Sequence, residues 1–160
     1  MRPETLHATL VFIGNVEQSR LEALRLAAQE VGSACFELCF NAVRYWQHNH
    51  IVYAAPDVVP PQLIELVSAL ERSLVKHYFR FDRRAYKPHV TLLRNARWNG
   101  APMADNLVPT SGQEKLTLPL SGMQPVHWRM QDFALVQSVH QDGQAGYRVC
   151  ARFPLRPSSG

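Results

Sequence analysis

Leu6-His7-Ala8-Thr9-Leu10-Val11-Phe12-Ile13 finds an echo roughly eighty positions later in His89-Val90-Thr91-Leu92-Leu93. Both stretches are dense in apolar residues and read as largely buried strands, and both open with the tetrad His-apolar-Thr-apolar. Side chains two apart on a strand share a face, so His7 travels with Thr9 and His89 with Thr91. If the two strands lie side by side, or face each other across a cleft, two imidazoles and two hydroxyls converge. An imidazole gives or takes a proton near neutral pH, and a hydroxyl donates to a phosphate oxygen. In-line attack on a phosphodiester needs such a set. One histidine removes the nucleophile's proton and the other protonates the departing oxygen, while the hydroxyls and a nearby arginine hold the non-bridging oxygens. That scheme uses no metal, and the chain lacks the Asp/Glu clusters that usually hold a catalytic Mg²⁺. With seven histidines and five threonines in 160 residues, chance supplies two such tetrads on the order of once in a thousand sequences.

Outward from the first tetrad, Gly14 and Asn15 end the strand. Asn15 with Gln18 resembles a capping box, Leu21, Leu24, Ala28 and Val31 recur at helical spacing, and Gly32 closes the helix. Phe36, Leu38 and Phe40 alternate with Cys35, Glu37 and Cys39 at strand period, and Ile51 to Ala55 is a further strand. Pro60 and Pro61 open a second helix whose stripe of Leu63, Leu66, Val67, Leu70 and Leu74 runs to about His77. Beyond the second tetrad, residues 95 to 114 are rich in Pro, Gly and Asn and read as a long loop. Val126 to Met130, Phe133 to His140 and Tyr147 to Phe153 are strands, the last two a hairpin turning at Asp142-Gly143. Strand–strand joins are short, so the sheets should be mostly antiparallel, and the two halves loosely repeat one helix and one tetrad strand.

Composition is that of a globular domain, with 46% hydrophobic and 19% charged residues. No apolar run approaches the eighteen or so residues of a membrane span and no signal segment opens the chain, which predicts a cytoplasmic protein with no membrane partner. Cys35, Cys39 and Cys150 are too few and too odd for a disulfide framework, and Cys35 and Cys39 have no second pair to complete a zinc site. Neither His48 with His50 nor any other set reaches the ligand count of a metal centre. The net charge of +4 suits a polyanion, and its placement is more telling: Arg80, Arg83, Arg84, Lys87, Arg94 and Arg97 crowd around His89.

The paired tetrads resemble those of the two-histidine phosphoesterases, and within them the RNA 2′,3′-cyclic phosphodiesterases, historically called 2′-5′ RNA ligases. Arg2-Pro3-Glu4-Thr5-Leu6 before the first tetrad, Phe12-Ile13-Gly14 after it, Tyr86-Lys87-Pro88 before the second, and the hairpin from Phe133 to Leu155 are similar to the flanking segments of that family. The resemblance implies an α+β fold, one domain over residues 1–160 built as two pseudo-twofold lobes, with mostly antiparallel sheets flanked by helices and a central cleft. It implies His7 as the acid on the leaving oxygen and His89 as the base on water, in a nearly symmetric site. Thr9, Thr91 and Arg94 are then the phosphate-binding residues, and Arg80, Arg83, Arg84, Tyr86 and Lys87 the ones that meet RNA. It implies no cofactor, and as partner an RNA ending in a 2′,3′-cyclic phosphate, opened to a 2′-phosphate, with weak ligation as the reverse reaction. Members of that family carry a strand and a helix before the first tetrad. Met1 stands almost against it here, so the resemblance implies a lobe short of that strand and helix, with an open edge at which chains would self-associate.

Two other readings stay open on the sequence. A phosphodiesterase of the same superfamily acting on a small cyclic nucleotide would use the same four residues. A non-catalytic RNA-binding module would keep the fold, although binding alone does not call for two titratable groups.

Overall fold

The computed structural model describes residues 5–96, 115–118, 124–141 and 144–157. Its regular elements are α1 (Leu21–Gln29), β1 (Phe36–Phe40), β2 (Ala42–Trp46), β3 (Ile51–Ala55), α2 (Pro61–Lys76), β4 (Val90–Leu93), β5 (Lys115–Leu118), β6 (Val126–Met130), β7 (Asp132–Gln141) and β8 (Gln144–Pro154). Short 3₁₀ turns cover Gln18–Arg20 and Gln47–Asn49. The chain divides into two compact units, Met1–Thr9 with Cys39–Val58 and Lys87–Trp128, and Leu10–Leu38 with Val59–Tyr86 and Arg129–Gly160.

The first unit is built on a four-stranded sheet of order β4-β3-β2-β5 in which every neighbouring pair is antiparallel. Alternation sorts its residues by face. Val43 and Tyr45 are buried on one side of β2, while Arg44 and Trp46 are half-buried on the other. The turn into β3 needs a left-handed residue, and His50 takes it at φ 54°, with its Nδ1 bonded to the Tyr45 hydroxyl at 2.8 Å. β3 meets β4 with a register shift between Val52 and Tyr53, which sets Tyr53 opposite Thr91 and Ala54 opposite Val90.

The second unit holds both helices and the β7/β8 hairpin. Leu63, Leu66, Val67, Leu70 and Leu74 of α2 are all buried, as their spacing predicts, and Leu24, Ala27 and Ala28 of α1 are buried too. Two features lock the helices together. The buried Ser73 hydroxyl donates to the carbonyl of Ala27 at 2.7 Å. On the surface, Glu30 accepts from Lys76 Nζ at 2.7 Å and lies 3.0 Å from His77 Nε2. Leu24, Leu74 and Phe79 form a cluster on which Val11, Ile13, Phe81 and Leu135 pack, and the Arg20 guanidinium caps the Phe79 ring at 4.4 Å. In the hairpin, Phe133 stacks on Phe153, its cross-strand partner, at 5.0 Å.

Three expectations change. Residues 6–13 do not form a ladder strand: pairing is limited to one antiparallel bridge, Ala8 to Val90. From Leu10 the chain enters the other unit, where Phe12 offers its carbonyl to the Asp82 N–H and Val11 and Ile13 join the helical core. Gly14 ends the segment at φ +79°, a left-handed conformation that favours glycine. The Asn15/Gln18 capping box is not used. A 3₁₀ turn starting at Gln18 leads into α1, whose N-cap is Arg20 with no side-chain cap bond. Ala42–Trp46, not anticipated as a strand, lies inside the four-stranded sheet. The anticipated hairpin is present, Gln141 pairing with Gln144. Its turn residues 142 and 143, and residues 97–114 of the expected long loop, lie outside the described residues.

Leu66 is 1% exposed. Leu66→Ala should therefore lower stability by about 2–5 kcal/mol through lost burial and an uncollapsed cavity, a loss that denaturant unfolding will measure. The Glu30 carboxyl is held below its ordinary value of 4.5 by its bond from Lys76 first and His77 second. A lowered folded-state value stabilises above the unfolded value and fades as acid protonates the carboxyl. Wild type and Glu30→Gln should therefore differ slightly at neutral pH and converge in thermal melts well below pH 4.5.

Candidate active site

The single bridge between Ala8 and Val90 decides the geometry. In an antiparallel pair centred there, the residue before one faces the residue after the other, so His7 lies across from Thr91 and Thr9 across from His89. Ala8 and Val90 point one way and the four polar residues the other. Each histidine is thus beside the threonine of the other tetrad. His7 and His89 stand on a diagonal, for which backbone positions are about 7–8 Å apart. The side-by-side arrangement is the one adopted.

The two histidines are held in the same way. His7 Nδ1 lies 2.8 Å from the Thr5 carbonyl, and His89 Nδ1 lies 2.7 Å from the Lys87 carbonyl. A carbonyl only accepts, so each Nδ1 carries a proton, which leaves Nε2 as the nitrogen able to give or take one. Both bonds reach two residues back along the chain, a device repeated at the two tetrads. Thr91 is 7% exposed, held in the sheet beside Tyr53, whereas Thr9 is exposed.

The same face of the sheet continues from Thr91 across Tyr53 to Arg44, which are register partners in turn. Arg44 Nη2 donates to Asp57 Oδ1 at 2.7 Å. Trp46, two residues on, lies with its ring 4.1 Å from that of Tyr53 and 4.8 Å from that of His89. Burial pushes the Tyr53 phenol above its ordinary value, opposed by the Arg44 charge and by the Trp46 N–H. Sequence reasoning missed Arg44 and Tyr53. The signal was the alternation of Val43 and Tyr45 with Arg44 and Trp46.

The remaining expected residues lie in the irregular segments before and after β4. Arg94 sits exposed in the bend after β4, just before Asn95 at φ 55° and Ala96, whose N–H bonds the His50 carbonyl and whose carbonyl accepts from the Tyr45 hydroxyl. Lys87 is exposed and enters the site only through its carbonyl. Arg80, Arg83 and Arg84 belong to the other unit and are exposed; Arg83 lies over Phe81 at 5.3 Å, and Arg84 is paired with Asp82. Tyr86, grouped with the RNA-facing residues, turns its hydroxyl inward: the oxygen is buried with no hydrogen-bond partner among the described residues, and burial pushes the phenol up. His127 has its Nε2 3.9 Å from the Cys39 sulfur. Among the described residues no three of His, Cys, Asp and Glu gather as a metal site, and no helix is long and apolar enough to cross a membrane.

Known proteins share both sequence and architecture with this chain. It is 26% identical over 154 residues to the Escherichia coli K12 RNA 2′,3′-cyclic phosphodiesterase, a match spanning 95% of this chain and 77% of that protein. Its fold superposes on the crystal structure of apo E. coli LigT with a TM-score of 0.73, at 24% identity, covering 94% of this chain and 76% of that one. A structure of LigT with 3′-AMP gives 0.72 at 23% identity, over 97% and 84% of the two chains. A Thermus thermophilus protein gives 0.66 at 19% identity, over 96% and 79%. Residues 2–142 match the model of the 2′-5′ RNA ligase superfamily, and the chain belongs to that superfamily.

Proposed function

We infer that this protein is an RNA 2′,3′-cyclic phosphodiesterase, a hydrolase that opens terminal 2′,3′-cyclic phosphates to 2′-phosphates. The observation that carries this reading is the pairing of the two tetrads through Ala8 and Val90, which sets each histidine across from the other tetrad's threonine, with both imidazoles bonded through Nδ1 to a backbone carbonyl. The E. coli relative of that name supports it.

In this mechanism the cyclic phosphate lies between His7 and His89. His89 Nε2 takes a proton from water as its oxygen forms a bond to phosphorus. His7 Nε2 gives its proton to O3′ as the P–O3′ bond breaks, leaving a 3′-hydroxyl and a 2′-phosphate. The protons then return through solvent. Thr9 and Thr91 donate to the non-bridging oxygens and Arg94 offsets their charge. Ligation follows the same path with a 5′-hydroxyl attacking phosphorus in place of water: His89 takes its proton, a P–O5′ bond forms as P–O3′ breaks, and a 2′–5′ phosphodiester and a free 3′-hydroxyl result. Arg80, Arg83, Arg84 and Lys87 supply positive charge for the RNA backbone, and Tyr86 supports the segment between them. We read the chain as one phosphoesterase domain with its two compact units as the lobes, working in the cytoplasm without a cofactor.

Either His7→Ala or His89→Ala should cut turnover of a 2′,3′-cyclic-phosphate dinucleotide by a factor of about a hundred to ten thousand. Near-normal activity in either variant defeats the two-histidine mechanism. Turnover should persist in EDTA and follow a bell-shaped pH curve, since one imidazole works neutral and the other charged; a strict need for added metal points to other chemistry. Arg94→Ala should cost more than Arg80→Ala or Arg83→Ala, whose smaller losses should shrink further in salt, as expected of screened backbone contacts. Initial rates across a salt series distinguish that ranking from equal losses at all three.

A further inference from the structure

We propose that Trp46 is a positioning residue for His89, setting the direction in which its Nε2 points. The inference rests on the reading of His89 as an acid–base group and adds what keeps that group aimed. The Nδ1 bond to the Lys87 carbonyl fixes the tautomer, but one hydrogen bond is a pivot. Torsion of a histidine ring about χ2 is broad and soft, so packing must choose the angle. Two aromatic rings do so. Trp46 meets the imidazole at 4.8 Å with an interplanar angle of 69°, and Tyr53 meets it at 5.8 Å and 79°, both in the edge-on arrangement aromatic pairs favour.

Trp46 is itself held firmly enough to serve. Its ring lies 4.1 Å from that of Tyr53, which is 3% exposed and paired on the β3–β4 register with Thr91. Placement therefore passes from a buried tyrosine to a half-buried indole to the imidazole, all on the face that carries the tetrads. Trp46 reaches His89 across the intervening strand β3, since the sheet order is β4-β3-β2. Loss of the indole leaves the hydrogen bond and the tetrad intact but frees the ring to swing about its pivot.

The test compares Trp46→Leu, which keeps apolar volume without a ring, with Trp46→Phe, which keeps a smaller ring. Steady-state kinetics on a 2′,3′-cyclic-phosphate dinucleotide are measured in the wild-type and His89→Ala backgrounds, with thermal melts of each variant. We expect Trp46→Leu to lower kcat by about ten- to a hundredfold with KM little changed, the scale of a misaimed catalytic group. Trp46→Phe should recover most of that loss, and Trp46→Leu should add nothing once His89 is absent. A loss that falls on KM, or that persists in the His89→Ala background, would mean that the indole touches substrate and overturns the proposal, as would an unchanged kcat. A melting-temperature drop shared by Trp46→Leu and Trp46→Phe, with turnover falling equally in both, also overturns it. A His89→Ala variant of normal activity instead removes the catalytic reading on which the proposal stands.

Discussion

One backbone bridge, Ala8 to Val90, sets the geometry of the candidate site. A strand has a side-chain period of two, so one antiparallel contact is enough to place four residues. Moving that contact by one residue would send one tetrad's polar pair to the opposite face and scatter the site. The surroundings hold the register. Val90 is buried and also pairs with Ala54, and Thr91 pairs with the buried Tyr53, so β4 is fixed on its other edge before the tetrad of residues 7–10 meets it.

The two histidines answer a further constraint. An imidazole that must exchange a proton with substrate needs its other nitrogen occupied, or its tautomer is undefined. Here the chain supplies the partner locally, from the carbonyl two residues earlier in each case. Because that contact is local, it survives whatever the rest of the fold does at the level of sub-ångström adjustment. Rotation about it is another matter, and there the sheet contributes Trp46 and Tyr53 from strands distant in sequence.

The helical unit shows a different economy. Its apolar stripe and the Leu24, Leu74 and Phe79 cluster carry the hydrophobic burial, while its charged groups are tied to nearby partners at the surface. Arg25 bonds Glu22 within α1, Lys76 and His77 share Glu30, and Arg84 pairs with Asp82. Pairs so exposed add little to stability. Arg80 and Arg83 are also exposed but have no acidic partner among the described residues, which leaves their charge available to a polyanion.

What could be read from sequence was whatever depends on periodicity within a short window. The α2 stripe was legible because its spacing of three and four is a property of the helix alone. The tetrads were legible because the same local alternation recurs with the same rare residues, and the resemblance they carry extended the reading to the family. Pairing was not legible. The stretch from Leu6 looked like a strand because its residues are apolar, yet only Ala8 finds a ladder partner, since Leu10 onward packs into the helical unit. Arg44 and Trp46 sit in a five-residue strand whose alternation is too brief to stand out, and their place on the face that carries Thr91 follows only from the order β4-β3-β2. Sequence by itself determined which groups could do the chemistry. The tertiary structure decided that His7 neighbours Thr91, that Thr9 neighbours His89, and that an indole packs edge-on against one imidazole, because each of those contacts joins residues far apart in the chain through a register no local pattern encodes.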